Sequence, residues 1–395
     1  MLELIIEEKR RIKKIALVEN GKLLEYYEDN EKTNRNEGNI YVAVVKDVVQ
    51  GMQSAFVNIG TEKNGFIHLK DILPQIDQKH KITNNDADIK DVIQINDKLL
   101  VQVKKDSDQK KGARVSTHIN LPSRYVVLLP NTNIITISQK IENEKEKERL
   151  LKFAKDNLPE NMGLIIRTSA SGIDEKELTE DLNYIIERWE RIKAKSNDRN
   201  LKAPQLIYKS PDIAEKMLID TFSKGLEKIT VNNKKYYEAI LKVQEENMDF
   251  KSIKVELKDQ EDILDVYDIK KQIKKAKDRK IWLNCGGFIT IDKTEALTAI
   301  DVNTGKYTGN KNLEETVYRV NEEATIEIAK QLKLRDIGGI VIIDYIDMNN
   351  LKNKEKIEKL LKEKFKEDRA KTQVEGFTKL DLMELTRKHI CSHNE

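Results

Sequence analysis

A strand–helix–strand pattern in the last third of the chain constrains the fold most strongly. Residues 296–300 and 340–343 are short apolar runs typical of buried strands, and residues 313–334 repeat apolar side chains at the spacing of an amphipathic helix. Gly338-Gly339 ends that helix, and another run at 288–291 is expected to pair with the first strand as a hairpin. Two strands joined by a helix form a right-handed unit with parallel strands. The pattern therefore predicts an α/β domain here.

Acidic residues follow both parallel strands of this predicted unit. Asp301 comes directly after the first strand and Asp344 directly after the second. Ligands of open α/β sheets collect beyond the carboxyl ends of the strands. Two facing carboxylates repel each other unless a cation intervenes, and Mg²⁺ accepts one or two carboxylates together with phosphate oxygens. Asp301 and Asp344 are thus candidate magnesium ligands, although strand-end aspartates also occur without a metal and the spacing leaves both interpretations open.

The segment after Asp301 adds candidate phosphate ligands. Asn303-Thr-Gly-Lys306 offers amide, hydroxyl and ammonium donors, which suit a phosphate oxygen. Asn303 is the candidate for holding the phosphate or the attacking water. Asp347 is a rival metal ligand, but strand alternation would place it on the opposite face from Asp344 unless the strand breaks at Tyr345.

Residues 39–117 are rich in short strands separated by turns. The apolar runs lie at 40–45, 54–59, 65–69 and 98–103. Several short strands in succession predict a small closed barrel such as an OB fold. No structure is predicted for Asn84–Asp88.

The remaining segments indicate mixed α/β structure. Asn20-Gly21 between apolar runs predicts a hairpin, and strands are expected at 125–129 and 164–166. Residues 177–195 have an apolar stripe at helical spacing, which favours a core helix over a binding face. A basic helix is expected at 269–280, where a solvated face is favoured over RNA contact.

Composition narrows the class of protein. The 71 basic and 68 acidic residues leave a net charge of only +3, so nucleic-acid binding must depend on local clusters. Cys285 and Cys391 are too few for a disulfide framework and fit a reducing compartment. No stretch approaches the roughly 20 apolar residues that cross a bilayer, and the first residues do not have the pattern of a signal peptide. We therefore expect a cytoplasmic protein.

Several motifs closely resemble the catalytic domain of ribonuclease E/G enzymes. They are Thr294–Asn303, Glu327–Gly339 and Ile343–Met348, and the likeness extends to Gly38–Tyr41 and Ser54–Val57. The resemblance implies a DNase I-like catalytic domain at 278–395, and an RNase H-like subdomain formed by 1–36 with 205–277. It also implies that Asp301 and Asp344 bind the metal, that Asn303 assists, and that Asp347 lies outside the pair.

The resemblance further implies an OB-type RNA-binding barrel at 37–118. Phe56 and Phe66 match its RNA-contacting aromatics, and Lys111 matches a basic position. Such barrels stack bases on aromatic rings beside cations. From the residues alone, both phenylalanines are equally explained as core, because phenylalanine is usually buried.

A 5′-monophosphate sensor is implied at 119–204. Arg167 and Thr168 match its Arg-Thr pair, with Val127 in the adjoining strand, and Ser123 stands where the family pattern has glycine. Arginine grips phosphate with a bidentate fork. Without the resemblance, an arginine at a strand end is more often a surface ion pair.

The C-terminal sequence differs from the zinc-binding motif of the family. Family members usually continue into a Cys-Pro-x-Cys zinc link that joins protomers. This sequence instead reads His389-Ile-Cys-Ser-His-Asn-Glu395. We therefore expect no zinc and no zinc-linked assembly, and a homodimer stays open.

These features predict a magnesium-dependent endoribonuclease of RNA processing and decay. It would hydrolyse single-stranded RNA and leave 5′-phosphate products. Two alternatives stay open: an RNA-binding or assembly factor with a vestigial catalytic site, and a metal-dependent nuclease or phosphatase acting on other phosphate esters.

Overall fold

Four sheets organise the part of the chain that the computed structural model describes. That part comprises residues 1–10, 12–30, 36–72, 88–107, 111–222, 225–246, 252–259, 262–305, 313–366 and 368–390. It divides into two compact units, one formed by 1–32 with 224–395 and the other by 33–223. The segment at 84–87, for which no structure was predicted, lies outside the described residues.

The chain begins with three antiparallel strands. They are β1 (Leu2–Lys9), β2 (Ile12–Glu19) and β3 (Lys22–Asn30). Asn20 and Gly21 both have positive φ, 49° and 79°, as a tight hairpin turn requires. The predicted hairpin is confirmed.

The described residues between 40 and 116 form a closed five-stranded barrel. Its elements are β4 (Ile40–Val49), β5 (Ser54–Asn58), β6 (Gly65–His68), α1 (Ile89–Val92), β7 (Lys98–Lys105) and β8 (Arg114–Ser116). The strands pair in the order β4-β5-β6-β8-β7, and β7 pairs with β4 to close the ring. The predicted closed barrel is confirmed, and its interior is filled by alternate apolar side chains such as Val57, Ile67 and Val101.

A smaller α/β layer follows the barrel. Its elements are β9 (Leu121–Pro122), β10 (Val126–Pro130), β11 (Ile135–Ile137), α2 (Glu144–Asn157), β12 (Met162–Ile166), α3 (Glu175–Ser196) and β13 (Gln205–Tyr208). Four strands pair in the order β11-β12-β10-β9, and the apolar stripe of α3 packs in the core beside them. β13 pairs with β4 of the barrel, whereas the sequence was interpreted as placing residues 205–208 with the N-terminal subdomain.

The next segment completes the sheet begun by β1. Its elements are α4 (Ile213–Phe222), β14 (Leu226–Val231), α5 (Lys234–Glu246), β15 (Lys254–Leu257) and α6 (Ile269–Ala276). The strand order is β15-β14-β1-β2-β3, with β1, β14 and β15 parallel. α6 ends at Ala276, four residues before the predicted helix end, and Lys280 begins a strand instead.

The C-terminal part forms a six-stranded sheet with two helices. Its elements are β16 (Lys280–Trp282), β17 (Phe288–Lys293), β18 (Leu297–Asn303), α7 (Leu313–Leu334), β19 (Gly339–Asp344), α8 (Leu351–Lys364), β20 (Thr372–Phe377) and β21 (Leu382–Arg387). The order is β16-β17-β18-β19-β21-β20, and β18 and β19 are parallel. The predicted strand–helix–strand unit is confirmed.

The two faces of this C-terminal sheet differ. One face is buried under α7 and α8, where Ile300, Ile343 and Met383 join helix residues in one core. Side chains on the other face are largely exposed, and burial alternates residue by residue along β18 and β21. We call this second side the open face. Among the described residues, no helix is both long and apolar enough to span a membrane.

Candidate active site

Two aspartates stand opposite each other on the open face. Asp301 of β18 and Asp344 of β19 are direct partners in the parallel pairing, and both side chains are exposed. Neighbouring strands lie about 4.8 Å apart. The register therefore holds the two carboxylates side by side at the end of the parallel pair.

β18 continues three residues beyond the predicted strand end, to Asn303. Asp301 consequently lies within the strand, and Asn303 emerges on the same face. The Asn303 Nδ2 donates a hydrogen bond to Asp301 Oδ2, so in this structure the amide orients the carboxylate. Asn303 was expected to hold a phosphate or a water. Lys306, the ammonium of the predicted phosphate loop, lies outside the described residues.

The charge balance at this pair favours a cation. Burial, and then the negative charges of Asp301 and Asp347, raise the pKa of Asp344. β19 ends at Asp344, so strand alternation no longer governs Asp347, whose exposed carboxylate acts on Asp344. Hard oxygen ligands of this kind suit Mg²⁺, which needs few protein carboxylates. Among the described residues, no group of three or more His, Cys, Asp or Glu side chains is arranged to hold a metal.

A buried asparagine fixes the segment that carries Asp344 and Asp347. Asn321 of α7 is 0% exposed; its Nδ2 donates to the Ile346 carbonyl at 2.8 Å, and its Oδ1 accepts from the Ile346 amide at 3.1 Å. The Tyr345 hydroxyl lies 2.8 Å from that of Thr325. Sequence reasoning missed Asn321, although a polar residue inside the apolar stripe of α7 was the available signal.

The loop after Asn303 packs tightly against the β16–β17 turn. A Cβ on Gly287 would lie 2.8 Å from the Asn303 carbonyl oxygen, and one on Gly305 would lie 2.5 Å from that of Gly286. Gly305 also has φ +59°, which favours glycine. Glu323 of α7 holds the same turn by accepting from the backbone amides of Asn284 and Cys285. The backbone on both sides of Asn303 is therefore firmly positioned.

The predicted RNA-binding residues of the barrel lie on its surface. Phe56 and Phe66 are direct partners on β5 and β6, and their rings meet edge-on at 5.9 Å. Phe56 is exposed and Phe66 half-buried, so neither is a core residue. Lys111 is exposed and adjoins Gly112, whose backbone packs against Asn64 beside Phe66. The structure thus groups the two phenylalanines on the barrel surface, and the backbone that follows Lys111 pairs beside Phe66 through the Ala113 carbonyl.

The four predicted sensor residues gather around β10 and β12. Arg167 follows β12 and donates from Nη1 to the Ser123 carbonyl at 2.6 Å, while Val127 pairs with Ile165 beside it. The Thr168 hydroxyl is exposed and lies 2.8 Å from that of Ser138.

Ser123 itself points away from that surface. It is buried, and its hydroxyl donates to Asp181 Oδ1 of α3 at 2.5 Å. Asp181 also accepts from the Tyr125 amide at 2.9 Å. Sequence reasoning missed Asp181, which lies on the apolar stripe of α3. The serine in place of the family's glycine therefore occupies internal space.

Of the histidines and the cysteine at the C-terminus, His389 lies among the described residues. His389 Nδ1 lies 2.8 Å from the Asp336 carbonyl oxygen. Cys391 and His393 lie outside the described residues.

Comparison with known proteins agrees with the motifs. Residues 120–390 match the model of the ribonuclease E/G family, and residues 35–118 match that of the S1 RNA binding domain. The chain is 38% identical over 384 residues to ribonuclease G of Escherichia coli K12, covering 95% of this chain and 77% of that protein. It is 37% identical to ribonuclease G of Haemophilus influenzae over the same shares. Against ribonuclease E of Synechocystis it is 35% identical, covering 89% of this chain and 52% of the other.

Proposed function

Because this chain belongs to the ribonuclease E/G family, we propose that it is an endoribonuclease that hydrolyses single-stranded RNA in RNA processing and decay. The single observation that carries the proposed chemistry is the direct pairing of Asp301 with Asp344 on an exposed sheet face. The products would carry a 5′-phosphate. The protein would act in the cytoplasm and bind single-stranded RNA. We also propose that it forms a homodimer.

Asp301 and Asp344 would hold the magnesium ion. Their mutual repulsion, which contributes to the raised pKa of Asp344, supports this assignment. When bound, Mg²⁺ lowers the pKa of a water and stabilises the charge on a phosphodiester. Asn303 keeps the Asp301 carboxylate in place through its amide, and Asn321 keeps the segment after Asp344 in place through Ile346.

The other predicted residues would select and hold the RNA. We assign Phe56, Phe66 and Lys111 to base stacking and phosphate contact on the OB-type barrel, which matches the S1 domain model. We assign Arg167, Thr168 and Val127 to the 5′-monophosphate, with Ser123 positioning Arg167 through its carbonyl. The C-terminal sheet would be the DNase I-like domain, and the β15-β14-β1-β2-β3 sheet the RNase H-like subdomain.

The test is cleavage of a 5′-monophosphorylated and a 5′-hydroxyl oligoribonucleotide, each with magnesium and with chelator. We expect magnesium-dependent cutting, faster with the monophosphate, which Asp301→Asn and Asp344→Asn each abolish while RNA binding survives. Asp292→Asn is the matched control, because Asp292 also lies on the open face but pairs with Arg279; it should cut normally.

Other outcomes separate the alternatives. Cleavage retained in either mutant would overturn the assignment of the pair. RNA binding without cleavage by the wild-type chain would favour an assembly factor, and equal cutting of a DNA counterpart would favour a broader phosphodiesterase.

A further inference from the structure

An aromatic and basic cluster lies on the open face, outside the residues assigned above. Trp282 ends β16 and is 58% exposed. Its ring meets that of Phe288 edge-on at 5.3 Å. The Lys280 Nζ lies 4.3 Å from the Trp282 ring centre and 3.6 Å from that of Phe288. We call Lys280, Trp282 and Phe288 the aromatic platform.

The aromatic platform is next to the aspartate pair on the same face. Phe288 is the direct partner of Asn303 in the β17–β18 pairing, and Asn303 orients Asp301. Strand geometry puts the Cα of Phe288 about 5 Å from that of Asn303, and Asn303 about 7 Å from Asp301. A chain with a phosphate at the aspartate pair therefore has its adjoining nucleotide within reach of these rings.

The backbone turn that carries the aromatic platform is anchored. The β16–β17 turn that joins Trp282 to Phe288 is held by Glu323 through two backbone amides. Gly286 and Gly287 pack against the backbone of Asn303–Gly305. Rings on such a frame present a preformed surface, so binding a flat ligand does not require ordering a loop.

The chemistry of the aromatic platform matches a nucleotide. Aromatic side chains beside a cation stack bases of any sequence and attract the backbone. Lys280 rests on the rings through a cation–π contact, which is weak at exposed sites. An incoming base can therefore displace the ammonium, which would then meet a phosphate.

We propose that the aromatic platform is a base-stacking subsite that holds a nucleotide adjoining the cleaved phosphate. This proposal rests on the proposed function, because it takes the aspartate pair as the point of cleavage. It adds a substrate-binding site to the catalytic sheet itself, separate from the barrel.

The experiment measures binding of single-stranded oligoribonucleotides in which one abasic site is moved along the chain. It uses the whole 395-residue chain with Asp344→Asn, so that binding is measured without cleavage. Trp282→Ala should weaken binding of the intact oligoribonucleotide about tenfold. An abasic site at one position should weaken binding to the protein that retains Trp282 by the same factor. The same abasic site should not change binding to the Trp282→Ala variant. Trp282→Tyr should restore most of the affinity.

Ile326→Ala is the matched control, since Ile326 is 43% exposed on α7, against the opposite face. It should leave the affinity unchanged. Fluorescence gives a second readout, because the other tryptophan, Trp189, is only 2% exposed. RNA should quench the tryptophan fluorescence of the protein that retains Trp282, and it should not quench that of the Trp282→Phe variant.

The two levels of proposal fail separately. If no abasic position depends on Trp282, the aromatic platform is not a stacking subsite, whether or not Asp344→Asn abolishes cutting. If Asp344→Asn still cuts, the catalytic assignment fails, and the abasic dependence of binding, measured with chelator, still reports whether Trp282 stacks a base. In the active protein, Trp282→Ala should raise KM about tenfold with little change in kcat.

Discussion

Aspartates of this molecule lie in two contrasting kinds of surroundings. Asp181 of α3 is 2% exposed and accepts hydrogen bonds from the Ser123 hydroxyl and the Tyr125 amide, with the Arg124 guanidinium 3.6 Å away. Asp301 and Asp344 are exposed and face each other, and Asp301 accepts a hydrogen bond from the Asn303 amide. The Asp181 carboxylate is surrounded by hydrogen-bond donors, whereas the pair of Asp301 and Asp344 carries excess negative charge.

This contrast separates stability from activity. A buried carboxylate with donors on both oxygens contributes to folding, because its removal leaves those donors without partners. Two exposed carboxylates held together contribute repulsion, and the sheet tolerates it because the surrounding core is large. Clustered like charge that folding does not explain is a common mark of functional sites.

The largest expected effect comes from the same substitution at both sites. Asp181→Asn should lower the free energy of unfolding by about 3 kcal/mol, because it breaks a buried ion pair and misplaces an amide against backbone donors. Asp301→Asn should change it by less than about 0.5 kcal/mol, as exposed sites usually do. Urea unfolding followed by Trp189 fluorescence checks the first, since Trp189 is a buried residue of α3 itself. Equal losses at both sites would remove the contrast.

Lys104 of the barrel is a positively charged group whose burial also affects stability. Burial lowers the pKa of Lys104 to about 8, and the Asp71 charge opposes only part of that shift. The unfolded chain then binds more protons between about pH 8 and pH 10.5, so stability should rise with pH across that window. Lys104→Met should therefore stabilise the protein by about 2 kcal/mol at pH 7.

The advantage of that variant should disappear above about pH 10.5. Gln102 keeps a partner after the change, because its Oε1 also accepts from the Asn120 amide. Thermal unfolding of both proteins from pH 7 to pH 11 gives the comparison. A difference that does not vary with pH would show that Lys104 is well solvated.

Local sequence patterns predicted those parts of the site that depend on neighbouring strands. The apolar runs before Asp301 and Asp344 fixed the parallel pair, and a parallel pair in this register puts the two carboxylates together. The barrel was predictable for the same reason, because its strands follow one another along the chain.

Contacts between distant segments were beyond such patterns. Asn321 and Asp181 are polar residues on helices, and their partners at Ile346 and Ser123 are 25 and 58 residues away. β13 pairs with β4 across a much larger separation, since Gln205 is the partner of Val42. Trp282 gave no signal either, because no structure was predicted between the basic helix and the strand at 288–291. Helical spacing describes which side of a helix is apolar, and it does not identify what a buried polar group meets.

A smaller effect is expected where this chain departs from the family's glycine. Ser123→Gly should cost about 1 kcal/mol of stability, the value of one hydrogen bond, through loss of the bond to Asp181. Because the serine hydroxyl points into the interior, the preference for 5′-monophosphorylated RNA should be unchanged. Cleavage rates of the two oligoribonucleotides check this, and a changed preference would show that the serine side chain reaches the sensor surface.

The smallest effect on stability is expected at the aspartate pair itself. Asp344→Asn should raise the free energy of unfolding by no more than about 0.5 kcal/mol, because it relieves repulsion from Asp301 and Asp347 in an exposed setting. Magnesium provides the sharper measurement. At ten times its dissociation constant it should stabilise the wild-type protein by about 1.4 kcal/mol, since it binds the folded state. Asp344→Asn should lose that magnesium effect, and Asp292→Asn should keep it. Equal stabilisation of all three proteins would place the ion elsewhere, and the exposed pair would then need another explanation for its repulsion.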